Sequence, residues 1–199
     1  MKILNFYILL LIATSYQLQG QDISTNIKNA KSAYADKQFS TAREELQNAL
    51  FEIDNIISDE ILKLLPAKLG SFSAGGTEDS KEGSATSMGL FITRIYGVKS
   101  DNYAEVMIAD NSPMVGMVNS FLSNPMLAGL ASQAAGQKTI RIDGYKGMLQ
   151  KEEGEDGKYS IMVPFGDSML TMETNVQDES EVINMGNQIP LSQIVALVQ

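Results

Sequence analysis

The chain of 199 residues contains no cysteine, no histidine and no tryptophan. Without cysteine there are no disulfides, so stability has to come from a conventional apolar core. Without histidine or cysteine, serine–histidine and cysteine–histidine catalysis are excluded, as are the usual zinc, haem and iron–sulfur ligands. With no tryptophan and only seven Phe and seven Tyr, there is little to build a sugar-stacking site. Carboxylate, lysine or tyrosine chemistry and oxygen-ligand sites for calcium or magnesium are what is left. No enzyme activity, catalytic residue, cofactor or metal site is therefore expected.

Positive charge is also scarce: 15 Lys and Arg stand against 24 Asp and Glu, a net −9. Nucleic acid requires a basic surface, so no nucleic-acid partner is expected. Docking on anionic lipid by charge alone is disfavoured for the same reason. The acidity reads as what keeps an exported protein in solution.

Long apolar runs are missing too. The longest at the start, Phe6 to Ala13, follows Met1-Lys2 and precedes Thr14-Ser15-Tyr16-Gln17-Leu18-Gln19-Gly20. A basic start, an apolar centre and a small-residue exit have the form of an export signal. Eight helical residues rise only about 12 Å, against roughly 30 Å of hydrocarbon, so no transmembrane span is expected. Residues 1–20 are read as a signal peptide cut after Gly20. No cysteine at the exit offers itself for lipid attachment. The expected location is periplasmic or secreted, without a lipid anchor.

Past Gly20 the chain falls into three parts: a helical hairpin region over 21–69, a flexible linker over 70–87 and an α+β domain over 88–199. In the first, Ile27, Ala30, Ala33 and Tyr34 share one helix face before Asp36-Lys37-Gln38 breaks the pattern. Phe39, Ala42, Leu46, Ala49, Leu50, Ile53, Ile56 and Ile57 then recur at three- and four-residue spacing, one stripe on a second helix. Ser58-Asp59-Glu60 predicts a fresh N-cap and a last short helix over 61–65, stopped by Pro66. The stretch from Ala30 to Leu50 resembles the middle of a tetratricopeptide repeat, with Phe39, Ala42, Leu46 and Ala49 at the matching positions. Asn26 and Asp54 stand where that family has its opening Trp and closing Pro. No second copy is present, so the resemblance implies a lone hairpin and not a superhelical peptide groove.

Gly70 to Ser87 is rich in Gly, Ser and Thr, with Phe72 its one large apolar residue, and reads as the linker. Beyond it, strands are expected at Met88 to Val98, Tyr103 to Ile108, Ile140 onward with resumption past Gly144 to Leu149, Tyr159 to Phe165, and Ser168 to Thr174. Helices at about Asp178 to Met185 and Pro190 to Val198 close the chain. Consecutive strands on tight turns favour an antiparallel sheet with helices packed on one face. The run Ile142-Asp143-Gly144-Tyr145-Lys146, Pro164-Phe165-Gly166 and Ile189-Pro190-Leu191 resembles small exported bacterial proteins of the DcrB and PsbP-like kind. That resemblance implies a non-catalytic envelope module and carries over no functional residue.

From Asn111 to Gln137 no residue is charged. Ser112-Pro113 and Asn124-Pro125 each offer an N-cap followed by Pro at the first helical position, predicting helices over about 113–122 and 125–134. Met114, Met117, Val118, Phe121, Leu122, Met126, Leu127 and Leu130 are their candidate partner or ligand surface. Leaving even four such side chains wet would forgo on the order of 6–10 kcal/mol, so they are either core or covered by a partner. Three other features are weaker. Lys151 to Lys158 holds four carboxylates but lacks the spacing of a calcium loop, and reads as a hairpin tip. Glu173 and Glu181 are conceivable as an acid–base pair. Asp167-Ser168-Met169 resembles the short site at which some exported bacterial proteins are O-glycosylated.

Two functions remain open. One is a non-catalytic envelope protein that binds another protein or itself, through the hairpin or the uncharged helices. The alternative is a carrier or sensor of a hydrophobic small molecule or lipid, which requires an apolar cavity beneath those helices.

Overall fold

A computed structural model describes residues 22–75, 79–82, 90–124, 126, 136–152 and 157–199. The signal segment, the tip of the acidic hairpin, and Leu127 and Leu130 lie outside the described residues. The fold is α+β, with a helical hairpin followed by a large antiparallel sheet. The chain divides into two units, with the boundary between Ile56 and Ile57.

The helical unit comprises α1 (22–35) and the first turns of α2 (Phe39–Leu64). The turn between them is set by backbone geometry. Lys37 takes a left-handed φ of 59°. This lets Gln38 N donate to Ala33 O at 2.8 Å and Lys37 N donate to Tyr34 O at 3.1 Å. These two bonds are the Schellman arrangement, which satisfies the last carbonyls of α1 and reverses the chain. The helices pack together through small residues: Ala30 and Ala33 on α1, Ala42 and Ala49 on α2, all buried.

Helix α2 does not restart at Ser58. No Gly or Pro interrupts the stripe from Ile53 through Ile57 to Ile61, so one helix runs through, and Ser58 is buried inside it rather than capping it. Pro66 comes soon after the end. The last turns belong to the sheet unit, because Ile61 and Leu65 lie in its core. The boundary therefore falls thirteen residues before the expected one at 69/70.

In the sheet unit, β1 (Lys68–Leu69) pairs with β2 (Phe72–Ser73) as a small hairpin. The main sheet holds β3 (Ser80–Glu82), β4 (Phe91–Gly97), β5 (Tyr103–Ala109), β6 (Gln137–Ile142), β7 (Tyr145–Lys151), β8 (Tyr159–Phe165) and β9 (Ser168–Thr174). Its order is β3-β4-β5-β9-β8-β7-β6, antiparallel throughout. The expected linker thus contains two described strand segments. Polar Ser80-Lys81-Glu82 suits an edge strand, where composition alone reads as loop. Arg94 on β4 fixes this edge: Nε and Nη2 grip the Asp79 carboxylate at 2.9 and 2.6 Å. Nη1 donates to the carbonyls of Leu62 and Leu65 at the end of α2.

Period-two alternation divides the side chains between two faces. Ile92, Ile108, Leu170 and Val163 lie in one cross-strand row, facing Ile61 of α2, Leu65 just past its end, and the helices α4 (Glu179–Gly186) and α5 (Leu191–Val198). The neighbouring row, Met107, Thr171, Met162 and Met148, points the other way, and α3 (Val115–Ser123) packs on that second face. The helices therefore cover both faces, not one. The alternation of β8 was visible in the sequence, but an uncharged helix gives no sign of which side of a sheet it will cover.

Asp143-Gly144 forms the two-residue turn between β6 and β7, with φ of 47° and 85°, a pair that Asp-Gly adopts readily. The Asp143 carboxylate then accepts from Ser192 N at 2.7 Å, supplying the first turn of α5 with the cap that Pro190 cannot give. At α4 the cap is local, since Asp178 accepts from Ser180 N and Glu181 N.

Candidate functional site

The helical unit turns small residues inward and large ones outward. Ile27 and Tyr34 on α1, with Phe39, Leu46, Leu50 and Ile53 on α2, are 38–68% exposed. At 3.6 residues per turn, each of these lies roughly 30–90° ahead of the buried alanines of its own helix. Two antiparallel helices that turn in the same sense from buried to exposed residues bring those residues to one side of the hairpin. The Tyr34 and Phe39 rings meet there edge to face, 5.9 Å between centroids. The result is one continuous apolar face, open to solvent among the described residues. Monomeric proteins seldom leave so large an apolar patch uncovered.

The sequence showed the stripe on α2 but not its division. The alanine positions of the tetratricopeptide-like pattern are the ones that allow close helix approach, while Phe39 and Leu46 remain outside. In a spacing pattern both kinds of residue count alike as apolar.

The uncharged segment is divided differently. Val118 is fully buried and Phe121 nearly so, and Leu122 packs beside them. Together with Val115 they meet Met148, Met162 and Met169, so the described space between α3 and the sheet is filled by side chains. Met114, Met117 and Met126 face outward, the last two 58% and 75% exposed. Ser112 does not cap α3 with its side chain: its carbonyl accepts from Val115 N in a tight turn, and the helix begins there, two residues later than expected.

A polar cleft of about 630 Å³ lies at the end of the sheet where β4 turns into β5. Glu105 and Glu173 sit directly opposite one another on β5 and β9, a like-charge pair that needs compensation. Lys99 supplies it to Glu105 at 2.7 Å. Lys158 lies 6.0 Å over the Tyr103 ring, and its ammonium is held above the ordinary lysine pKa by the Tyr103 hydroxyl first and by nearby carboxylates after. Asn175 and Gln177 spend their amides on backbone: Asn175 Oδ1 accepts from Tyr103 N, and Gln177 donates to Gly157 O. These polar groups satisfy one another and stitch the sheet end together.

Two further expectations change. Glu173 lies on the second face of the sheet, whereas Glu181 belongs to α4 on the opposite face, so the structure does not bring them together. Ser168 is buried, and its hydroxyl donates to Asp110 Oδ1 at 2.7 Å, which leaves it no access for modification. Among the described residues no group of three or more acidic side chains is placed to hold a metal ion, and no helix is long and apolar enough to cross a membrane.

The fold and the open helical face define an α+β sheet protein carrying a helical hairpin with an exposed apolar face. Comparison of the chain with protein-family models, curated proteins and solved structures finds no match.

Proposed function

We propose that this chain is an exported, non-catalytic interaction protein whose helical hairpin docks on another protein surface. The observation that carries this reading is the single-sided set Ile27, Tyr34, Phe39, Leu46, Leu50 and Ile53, left open where a hairpin serving only as packing would bury its large residues. Export rests on the segment from Met1 to Gly20. The carrier alternative draws no support from the described space beneath α3, which Phe121 and three methionines occupy.

A photo-crosslinking residue placed at Leu46 or Leu50 of the full chain, in its native cells, tests the reading. Protein adducts are expected at both positions and not at Lys28, which lies on the outer side of α1. Equal yields at all three, or none at Leu46 and Leu50, would reject the docking face.

A further inference from the structure

We propose that the outer edge of β6 is a second docking surface, one that adds an extended strand alternating acidic with apolar residues. It is independent of the hairpin face and belongs wholly to the sheet unit. Among the described residues nothing pairs with the outer side of β6, which ends the seven-strand order. Its six residues pair with β7 in an unbroken register, with no bulge and no proline. Lys151 N donates to Gly136 O at 3.3 Å, which makes the enclosed Gln137–Gln150 pair a non-hydrogen-bonded one. Thr139–Met148 and Arg141–Lys146 follow it at intervals of two. The N–H and C=O groups of Gln137, Thr139 and Arg141 therefore point away from β7, where a further strand would satisfy them.

Charge selects the partner. Gln137 to Lys151 carries four cations and one carboxylate, in a chain of net −9. That carboxylate, Asp143, is engaged in capping α5. Two of the cations are held, Lys138 by Glu179 on α4 and Lys151 over the Tyr159 ring. Arg141 and Lys146 stand directly opposite one another on the second face, both exposed, a like-charge pair that is destabilising until an anion joins it. Arg141 Nη1 donates to Gly144 O in the adjoining turn, and neither side chain forms an ion pair among the described residues. An acidic side chain on an added strand, placed beside Arg141, comes within reach of both. The alternate residues of that strand fall on the core face beside half-buried Ile140, where an apolar side chain continues the core. A second β6 would bring cations to cations, so a copy of this edge is not the occupant.

Fluorescence anisotropy of a labelled peptide of alternating Glu and Val, titrated with the purified full chain, tests this. Saturable binding is expected for that peptide and none for its Lys-Val counterpart. Thr139→Pro removes an outward N–H and no ladder bond, so it should leave the thermal transition in place and abolish binding. Arg141→Glu combined with Lys146→Glu should weaken the Glu-Val peptide about tenfold and admit the Lys-Val one. In the wild type, the Gln137, Thr139 and Arg141 amides should exchange with solvent more slowly once the peptide is bound, a reading that requires no variant. Failure of the Glu-Val peptide to bind overturns the proposal, as does equal binding of both peptides. Binding that survives Thr139→Pro, or leaves those three amides unprotected, shows charge attraction without strand addition and overturns it too.

Discussion

Tyr96 is fully buried in the sheet core, and its hydroxyl has no hydrogen-bond partner among the described residues. Burial pushes its phenol up to about 12 against a smaller opposing effect of the nearby Arg94 guanidinium, so it stays neutral. A buried hydroxyl without a partner costs about 1–3 kcal/mol, and Phe fills the same space without it. Tyr96→Phe is therefore expected to raise stability by about 1 kcal/mol, read as a higher urea midpoint at unchanged slope. A lower midpoint would mean that the hydroxyl is bonded in solution. At the same scale, Lys37 and Asp143 show how single residues redirect the chain. Both take left-handed backbone, one to close the helical hairpin and one to form a turn whose carboxylate caps α5. The Asp-Gly turn is legible from residue type; the cap is not, because Asp143 and Ser192 are 49 residues apart.

At the scale of elements, α3 carries two kinds of apolar residue that a hydropathy pattern does not separate. Phe121 sits against Met148, Met162 and Met169, while Met117, four residues earlier, faces solvent. Phe121→Asp is expected to cost upward of about 4 kcal/mol, since it removes an aromatic from the core and leaves a carboxylate there unpaired. Met117→Asp should fall within about 0.5 kcal/mol of the wild type. Chemical denaturation of the two variants separates them, and equal losses would place α3 the other way round on the sheet. Helix α2 shows the same limit in reverse. A strong local capping signal at Ser58 is overridden because Ile57, Ile61 and Leu65 continue one stripe into the sheet core, and packing outweighs a single cap.

For the whole molecule, the Asp79–Arg94 clasp ties the outermost strand β3, the neighbouring β4 and the end of α2 into the sheet unit. The hydrogen bond from Arg94 holds the Asp79 carboxyl below the ordinary carboxylate range, against a smaller opposing effect of burial. A carboxyl with a depressed folded pKa stabilises the fold above its unfolded value of about 3.9 and loses that contribution as pH falls through the lower folded value. Asp79→Asn should therefore have a urea midpoint below the wild type at pH 7, by about 1 kcal/mol in stability. The gap should narrow only below about pH 3.9. A gap that is constant down to strong acid would show that the clasp does not form.

By itself the sequence determined whatever composition and short-range periodicity dictate. Missing Cys and His exclude whole chemistries, and β8 alternates plainly enough to assign its two faces. Asp178 announces the start of α4, and the apolar spacing on α2 marks a helix that needs a covering surface. These depend on residues within a turn or two of one another, whose relations the backbone period fixes. Tertiary structure alone decided that β5 pairs with β9 across sixty residues or more, that α3 lies on the second face, and that polar 80–82 is an edge strand. It also decided that alanines close the hairpin while Phe39, Leu46 and Leu50 stay open. The physical reason is that an apolar residue specifies only that it should leave water. Which surface receives it is set by the space that distant elements leave, and a one-dimensional pattern carries no measure of that space.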